Sequence, residues 1–494
     1  MTQSAQEVRT YGGWRRSRGM GLFGLGPVAS AVVLGGVLSL ITAAAFSLRA
    51  ALILAAPVGL LIAATLIRWD GVPVSHALVE RARWTIGMMR GYHSWRGGVV
   101  VEHPRAWQLP GVLASTELVT ADDGLGGTYG VVWDRRAGTL TATLRCAATS
   151  TWLANRSDAD TWVANWGSWV AGLGHLPAIR WVAVTVESAP DPGSTLDDYV
   201  SSRVDPSAPA PARHLLAELV RRSPAAAADV DTRVSITFDP AGSPSRPKDL
   251  PTAAAEFGRM LHGLTSALAS CGVTVLGRAS AVDLAGIVRT AFDPAARGEV
   301  ERLQQSGDPY QLLTWIDAGP VAAEESWDRY RHDSGVSVSY AWHEAPRQHV
   351  NSNVLARLVS PGLFPKRVTL LYRPFSAAAA ARILENEVNA AAFRAELSRR
   401  QGRDATARDV ADQQRARQAA REEAMGAGVC LVSLYATVTV LDEDDLLTAT
   451  ADLEARAQTA KIRLRRMYRS QAAGFAATLP AGICPPMLSR RWPR

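Results

Sequence analysis

The sequence predicts an α+β protein: an N-terminal transmembrane helical hairpin followed by two cytoplasmic α+β lobes. Three observations carry that expectation. Two uncharged stretches, Pro27 to Phe46 and Ala50 to Ile67, are separated only by Ser47-Leu48-Arg49. Arginines crowd the outer flanks of the pair. Beyond it, strand-like and helix-like segments alternate in two successive runs.

Each apolar stretch approaches the roughly 20 residues, about 30 Å of helix, that cross the hydrocarbon of a bilayer. A signal peptide followed by a core helix competes with this reading, with Ala43-Ala44-Ala45 as a small-residue cleavage site. The first run is longer than a signal h-region of about 7–15 residues, and a second run follows at once, so the hairpin is preferred. Pro57 lies inside the second run, where a membrane helix tolerates it. Arg9, Arg15, Arg16 and Arg18 precede the hairpin, opposed by Glu7. Arg68, Arg81, Arg83, Arg90 and Arg96 follow it, with Asp70 and Glu80. The turn holds only Arg49, so the positive-inside rule places both termini in the cytoplasm. Trp14 and Trp69 stand where indole rings prefer the headgroup level. Trp14, Arg15, Arg16, Arg68 and Trp69 are therefore the expected membrane anchors.

A chain of 494 residues is long for one domain. The expected division is a basic tail (1–20), the hairpin (21–68), an amphipathic linker (69–97), a first lobe (98–300) and a second lobe (301–494). The net charge of +7 suits an anionic surface, lipid or nucleic acid. It is carried almost wholly by arginine; the lysines are Lys248, Lys366 and Lys461. Cys146, Cys271, Cys430 and Cys484 share no CxxC spacing, which suits buried thiols in a reducing compartment rather than a disulfide framework.

Along the chain, residues 75–90 read as a helix with Leu78, Ala82, Ile86 and Met89 on one face. It could lie on the inner leaflet or pack on protein as a connector. Tyr129 to Trp133 and Thr139 to Leu144 alternate around Asp134-Arg135-Arg136-Ala137-Gly138, a hairpin signal. Asp158 to Val170 is a helix whose Trp162, Trp166 and Trp169 share one face, a core stripe rather than a partner site. A strand (179–186), a helix (213–222), a strand (233–238), a long helix (251–270), a strand (273–276) and a helix (282–292) follow. Residues 300–350 are less regular until a strand at 335–342. The second run holds a strand (367–372) and a helix capped by Ser376 with Leu384, Val388, Ala391 and Ala395 aligned. A further helix (406–425), a strand (429–441), a helix beginning near Leu446 and a strand (461–465) complete it. Strand–helix–strand units thus occur twice, which predicts two ferredoxin-like lobes.

Little catalytic chemistry is legible. Gly19-Met20-Gly21-Leu22-Phe23-Gly24 matches GxGxxG, but a nucleotide site needs it between a strand and a soluble helix, whereas here it enters a membrane helix. No Gly-Lys pair occurs, so no P-loop is present, and HExxH and GxSxG are also missing. His175, His214, His262, His332, His343 and His349 show no metal-ligand spacing, and the expectation is a protein without cofactor, metal or enzymatic activity. Residues 382–423 mix arginines with acids, as solvated helices do. The basic candidate is the C-terminal end: Lys461, Arg463 and Arg465 on one side of a strand, with Arg466, Arg469, Arg490, Arg491 and Arg494 beyond. These could contact phosphate or a partner, although a water-facing strand is favoured over nucleic-acid binding.

Thr10-Tyr11-Gly12-Gly13-Trp14-Arg15-Arg16, then Gly21-Leu22-Phe23-Gly24-Leu25-Gly26, then the hairpin, resemble an actinobacterial family of membrane proteins encoded with conjugative-element genes. The hairpin alone resembles the PrgI-type two-helix subunit of type IV secretion systems. The region from about 100 to 480 resembles the N-terminal, non-catalytic part of TraC/TraE-type conjugation ATPases. Val429 to Leu441, Asp442-Glu443-Asp444-Asp445-Leu446, Ile462-Arg463-Leu464-Arg465 and Phe475-Ala476-Ala477-Thr478-Leu479-Pro480 carry that likeness. The sequence ends near where that family's ATPase domain begins, so the resemblance implies a scaffold rather than a motor. It implies an inner-membrane (bacterial plasma membrane) subunit of a multi-subunit conjugation apparatus, partnered by the bilayer, a separate secretion ATPase and other membrane subunits. The two-span start with an Arg-rich α/β region is also similar to EccE-type components of type VII protein secretion.

Overall fold

The computed structural model describes residues 11, 12, 27–69, 72–98, 103, 106–148, 154–190, 200–222, 228–306, 313–346, 348–400 and 407–488. The fold is mixed α+β and divides into two compact units. One comprises Met1–Trp14, Ser94–Ala377 and Gly428–Arg494; the other comprises Arg15–His93 and Ala378–Ala427.

In the second unit, helices α1 (Pro27–Phe46) and α2 (Leu48–Leu66) pack together as a hairpin. Both are long and apolar enough to cross a membrane. Helix α2 begins before Ala50 because Arg49, a good helix former, does not interrupt it. At Gly36 the partner approaches so closely that a Cβ would lie 3.0 Å from Val58 Cγ1. Strands β2 (Arg68–Trp69) and β3 (Val72–Pro73) close a turn into α3 (Val74–Met89).

The larger unit is built on one antiparallel sheet. Its order runs β4 (Ser94–Arg96), β11 (Ala322–Glu325), β12 (Tyr330–His332), β13 (Gly335–Glu344), β16 (Cys430–Val440), β15 (Lys366–Pro374), β8 (Ile179–Pro190), β9 (Ala228–Phe238), β7 (Thr139–Ala148), β6 (Thr128–Asp134) and β5 (Thr116–Asp122). Strand β10 (Val273–Arg278) pairs with the far part of β7, and β17 (Arg463–Arg466) with the far part of β13. Strand β1 (Tyr11–Gly12) pairs separately with β14 (His349–Val350). In chain order the first lobe uses β7, β8, β9 and β10, which lie in space as fourth, first, third, second. The second lobe repeats that arrangement with β13, β15, β16 and β17. The lobes join edge to edge where β8 pairs with β15, from Ser188↔Lys366 to Val182↔Tyr372.

Alternation explains the two faces. Leu140, Ala142 and Leu144 on β7 and Val234, Ile236 and Phe238 on β9 point to one side. There α4 (Arg156–Leu173) and α6 (Leu250–Leu268) cover them with Trp169, Phe257 and Leu261. Trp166 stacks on Trp169 and meets Tyr372 edge-on, so the tryptophan stripe is core. Helix α6 starts where the Asp249 side chain accepts from Thr252 N. In the second lobe Val336, Val338, Leu434, Ala436 and Val438 occupy the same face under α9 (Ala356–Val359) and α12 (Leu446–Thr459). Each lobe carries an insertion between its middle strands: α5 (Ala210–Arg222) between β8 and β9, and α10 (Ala377–Arg400) with α11 (Ala407–Ala424) between β15 and β16. On the opposite face lie α7 (Ala281–Phe292), started by a Ser280–Asp283 capping box, α8 (Arg297–Ser306) and α13 (Gln471–Ala477).

Residues 300–350, read as irregular, contain β11 and β12, strands too short for alternation to show. The closing strand spans Arg463–Arg466 rather than 461–465. Lys461 instead ends α12 in the left-handed region, at φ 56°.

Candidate functional site

The hydroxyl residues on the polar face of the sheet are buried. Thr141 bonds Thr237 (3.0 Å), Thr143 bonds Ser235 (2.8 Å), Ser337 bonds Thr439 (2.8 Å) and Ser339 bonds Thr437 (2.9 Å). Thr185 bonds Thr369 (2.8 Å) across the junction of the lobes. The chain after α13 lies on this ladder, with Thr478 Oγ1 3.3 Å from Thr437 Oγ1. Gly482, at φ 67°, passes so near that a Cβ would sit 2.1 Å from Thr141 Oγ1.

Beside the ladder, the junction holds a buried ionic cluster. Glu187 on β8 stands in register with Arg367 on β15 and Asp231 on β9. Arg233 donates to Glu187, and Arg297 from α8 reaches Glu187 (3.8 Å), Asp229 (2.6 Å) and Glu301 (3.2 Å). Arg367 Nε donates to Thr478 Oγ1 (3.2 Å), and its guanidinium lies 4.8 Å from the Phe475 ring centroid. Among the described residues, Arg233 Nη1 and Arg367 Nη2 find no hydrogen-bond acceptor. Burial works to raise the Glu187 carboxyl, but Arg233, Arg367 and Arg297 outweigh it and hold it well below the carboxylate range. A cavity of about 450 Å³ opens on the cluster, lined among others by Glu187, Asp229, Asp231, Arg233 and Arg297. There burial, with Asp229 and Glu187, pushes the Asp231 carboxyl upward against the pull of Arg233. Glu187 is thus ionised near neutrality.

A serine–histidine pair lies elsewhere on this face. His332 Nε2 is 2.8 Å from Ser337 Oγ, and Nδ1 is 2.7 Å from the Phe292 carbonyl. Both side chains are fully buried, and Phe292, Tyr330 and Phe475 enclose the ring. Burial lowers the His332 pKa to about 4, so the imidazole is neutral, with Nδ1–H donating and Nε2 accepting. Among the described residues no carboxylate bonds the ring, whose two nitrogens are taken up by the Phe292 carbonyl and Ser337, so the pair reads as a packed hydrogen bond.

The sequence-predicted sites scatter. Trp14, Arg15 and Arg16 lie outside the described residues, as do Arg490, Arg491 and Arg494. Arg68 and Trp69 form β2 at the end of the hairpin. Arg466 is 3.2 Å from both Asp328 and the Tyr340 hydroxyl. Arg469, at φ 65°, stacks 4.9 Å over Trp327. Arg465 pairs in the β17 ladder with Ala341, and Arg463 opposite Glu344. Arg463 and Lys461 are exposed, but Lys461 precedes the strand rather than sharing its face. Lys461 thus stands off the strand side expected to hold it with Arg463 and Arg465. All four cysteines are free thiols. Among the described residues, no group of three or more His, Cys, Asp or Glu is placed to hold a metal ion. Sequence reasoning missed the junction cluster, since Glu187, Arg233 and Arg367 sit on strand positions that alternation assigns to water.

Compared with protein-family models and with curated proteins, the chain matches none.

Proposed function

We propose that this protein is a membrane-anchored, non-catalytic scaffold of a conjugative, type IV-like secretion apparatus that docks a separate ATPase. The observation that carries the membrane part is the exposure of α1 and α2. None of the α2 span is buried, and 11 % of the α1 window is. Apolar helices of this length, exposed apart from their contact with each other, suit lipid, because water would penalise each exposed side chain by about 1.5–3 kcal/mol relative to burial. The arginine-rich flanks set both termini in the cytoplasm. The fourth–first–third–second strand order, repeated, supports a ferredoxin-like reading of both lobes. Joined through one sheet, they offer a long, stiff surface suited to docking a partner that supplies the energy.

The experiment is in-cell crosslinking of the tagged full chain in its native membrane, followed by detergent extraction and mass spectrometry. A P-loop ATPase and further membrane subunits among the main partners support the scaffold, and their identity separates a type IV from a type VII apparatus. Recovery of the chain alone, with hydrolytic turnover by the purified protein, overturns it. Affinity for DNA that falls steeply with salt, and is lost on replacing Arg463, Arg465 and Arg466, would replace it with direct DNA binding.

A further inference from the structure

Helix α3 is half-buried along the side that carries Ala77, Glu80, Trp84 and Gly87, and exposed along its apolar stripe. Leu78, Val79, Ala82, Ile86 and Met89 fall within one arc of its surface, on the 3.6-residue period. Leu78, Val79, Ile86 and Met89 are 59 %, 57 %, 50 % and 83 % exposed. The half-buried residues Ala77, Glu80, Trp84 and Gly87 lie on the other side of the helix. A connector helix packed on protein would bury its apolar stripe; no residue of α3 is buried. The borders of the stripe are basic, with Arg83 and Arg90 along one edge and Arg81 along the other, all exposed. Its one acid, Glu80, belongs to the half-buried side and pairs with His76 (2.9 Å).

We propose that this stripe lies in the headgroup region of an anionic leaflet, making α3 a surface contact of the membrane next to the two spans. The inference rests on the membrane reading of the hairpin. Two observations favour lipid over a protein partner. The first is continuity: α2 ends at Leu66, Val74 N donates to the Ile67 carbonyl (3.0 Å), and β2 pairs with β3, so α3 starts at the level where the span leaves the hydrocarbon. The second is charge: an apolar stripe edged by arginines is the pattern that enters an anionic interface, apolar side down and cations at the phosphates.

The test uses the full chain in nanodiscs of phosphatidylcholine, with and without phosphatidylglycerol. Single nitroxide labels are placed at Leu78→Cys, Ile86→Cys, Met89→Cys and Arg83→Cys, with the unsubstituted protein as blank. All four positions are exposed, so labelling leaves folding intact. The expected result is an oxygen-to-nickel-chelate collision ratio several-fold higher at 78, 86 and 89 than at 83, rising with phosphatidylglycerol. Equal nickel access at all four, protection from both reagents, or a ratio indifferent to phosphatidylglycerol overturns the proposal. Labels at Leu38→Cys and Leu60→Cys separate the two levels. Lipid access there with water access on α3 sinks this inference alone, whereas water access there sinks the membrane reading as well.

Discussion

The two lobes share a strand order and differ in what covers it. In the first, the crossover from β7 to β8 is the 18-residue α4, which brings a tryptophan stripe to the sheet. In the second, the regular helix between β13 and β15 is the four-residue α9, and Leu358 with its neighbours does the covering. Strand pairing therefore sets this architecture, while the helical layer adapts to the apolar area beneath it. That follows from where the hydrogen bonds are: the ladders satisfy the backbone whatever helix lies above.

Four measurements bear on that contrast. The largest effects are expected in the cores. Phe257→Ala in the first lobe costs about 3–5 kcal/mol and Leu453→Ala in the second about 2–5 kcal/mol. Because one sheet runs through both, each variant lowers a single calorimetric transition; two separable transitions would show that the lobes fold independently. Next, Glu187→Gln leaves Arg233, Arg297 and Arg367 without the carboxylate between them. A loss of about 3–5 kcal/mol follows, the usual cost of uncovering buried charge. A near-neutral result in chemical denaturation would mean that the ladder alone holds the junction.

A third effect is pH dependence. His332 accepts a proton near 6.5 when unfolded but only at about 4 when folded. The unfolded chain therefore binds more protons between these values. The stability this histidine contributes is complete above pH 6.5 and falls away as the pH drops toward 4, by about 1.4 kcal/mol for each pH unit crossed. Glu187, lowered by its arginines, loses its contribution in the same direction at more acid pH, below its ordinary value of 4.5. His332→Asn should flatten the melting temperature between pH 4 and 6.5; an unchanged slope assigns it to other groups. The smallest effect is at the end of α12. Lys461→Gly, at φ 56°, should stabilise the second lobe by about 0.5–1 kcal/mol, since glycine takes that conformation without strain. A drop in melting temperature would show that contacts of the lysine side chain outweigh the strain.

Much of the secondary structure was legible because it is periodic over long segments. The first apolar helix runs from Pro27 to Phe46 as read, since a proline opens it and Ser47 interrupts it. The strands in Arg233-Val234-Ser235-Ile236-Thr237-Phe238 and Thr139-Leu140-Thr141-Ala142-Thr143-Leu144 were equally plain. Their polar face was not. Alternation tells which side is apolar, but it does not say whether the other side is wet. Here Gly482, more than two hundred residues away in sequence, passes over Thr141 and Thr237. One signal was available: that face carries mainly Thr and Ser, short hydroxyls that satisfy one another, where a solvated face carries Lys and Glu. The junction cluster was beyond reach, because Glu187 meets Arg367 only through the β8–β15 register. At the basic C-terminal end, the contacts of Arg466 with Asp328 and Tyr340 and of Arg469 with Trp327 were beyond reach for a related reason.

Both insertions hang from the same kind of turn. The chain leaves the sheet at Pro190 and re-enters at its ladder partner Ala228; it leaves again at Pro374 and returns at its partner Cys430, with Phe375 N bonded to the Val429 carbonyl at 3.0 Å. A detour whose two ends already touch costs the ladder nothing, and its closure entropy grows by only about 0.6 kcal/mol for each doubling of length. These two turns are grafting points. Residues 376–427 can be exchanged for a short linker, or for a foreign domain with adjacent termini, without moving a strand of the sheet out of register.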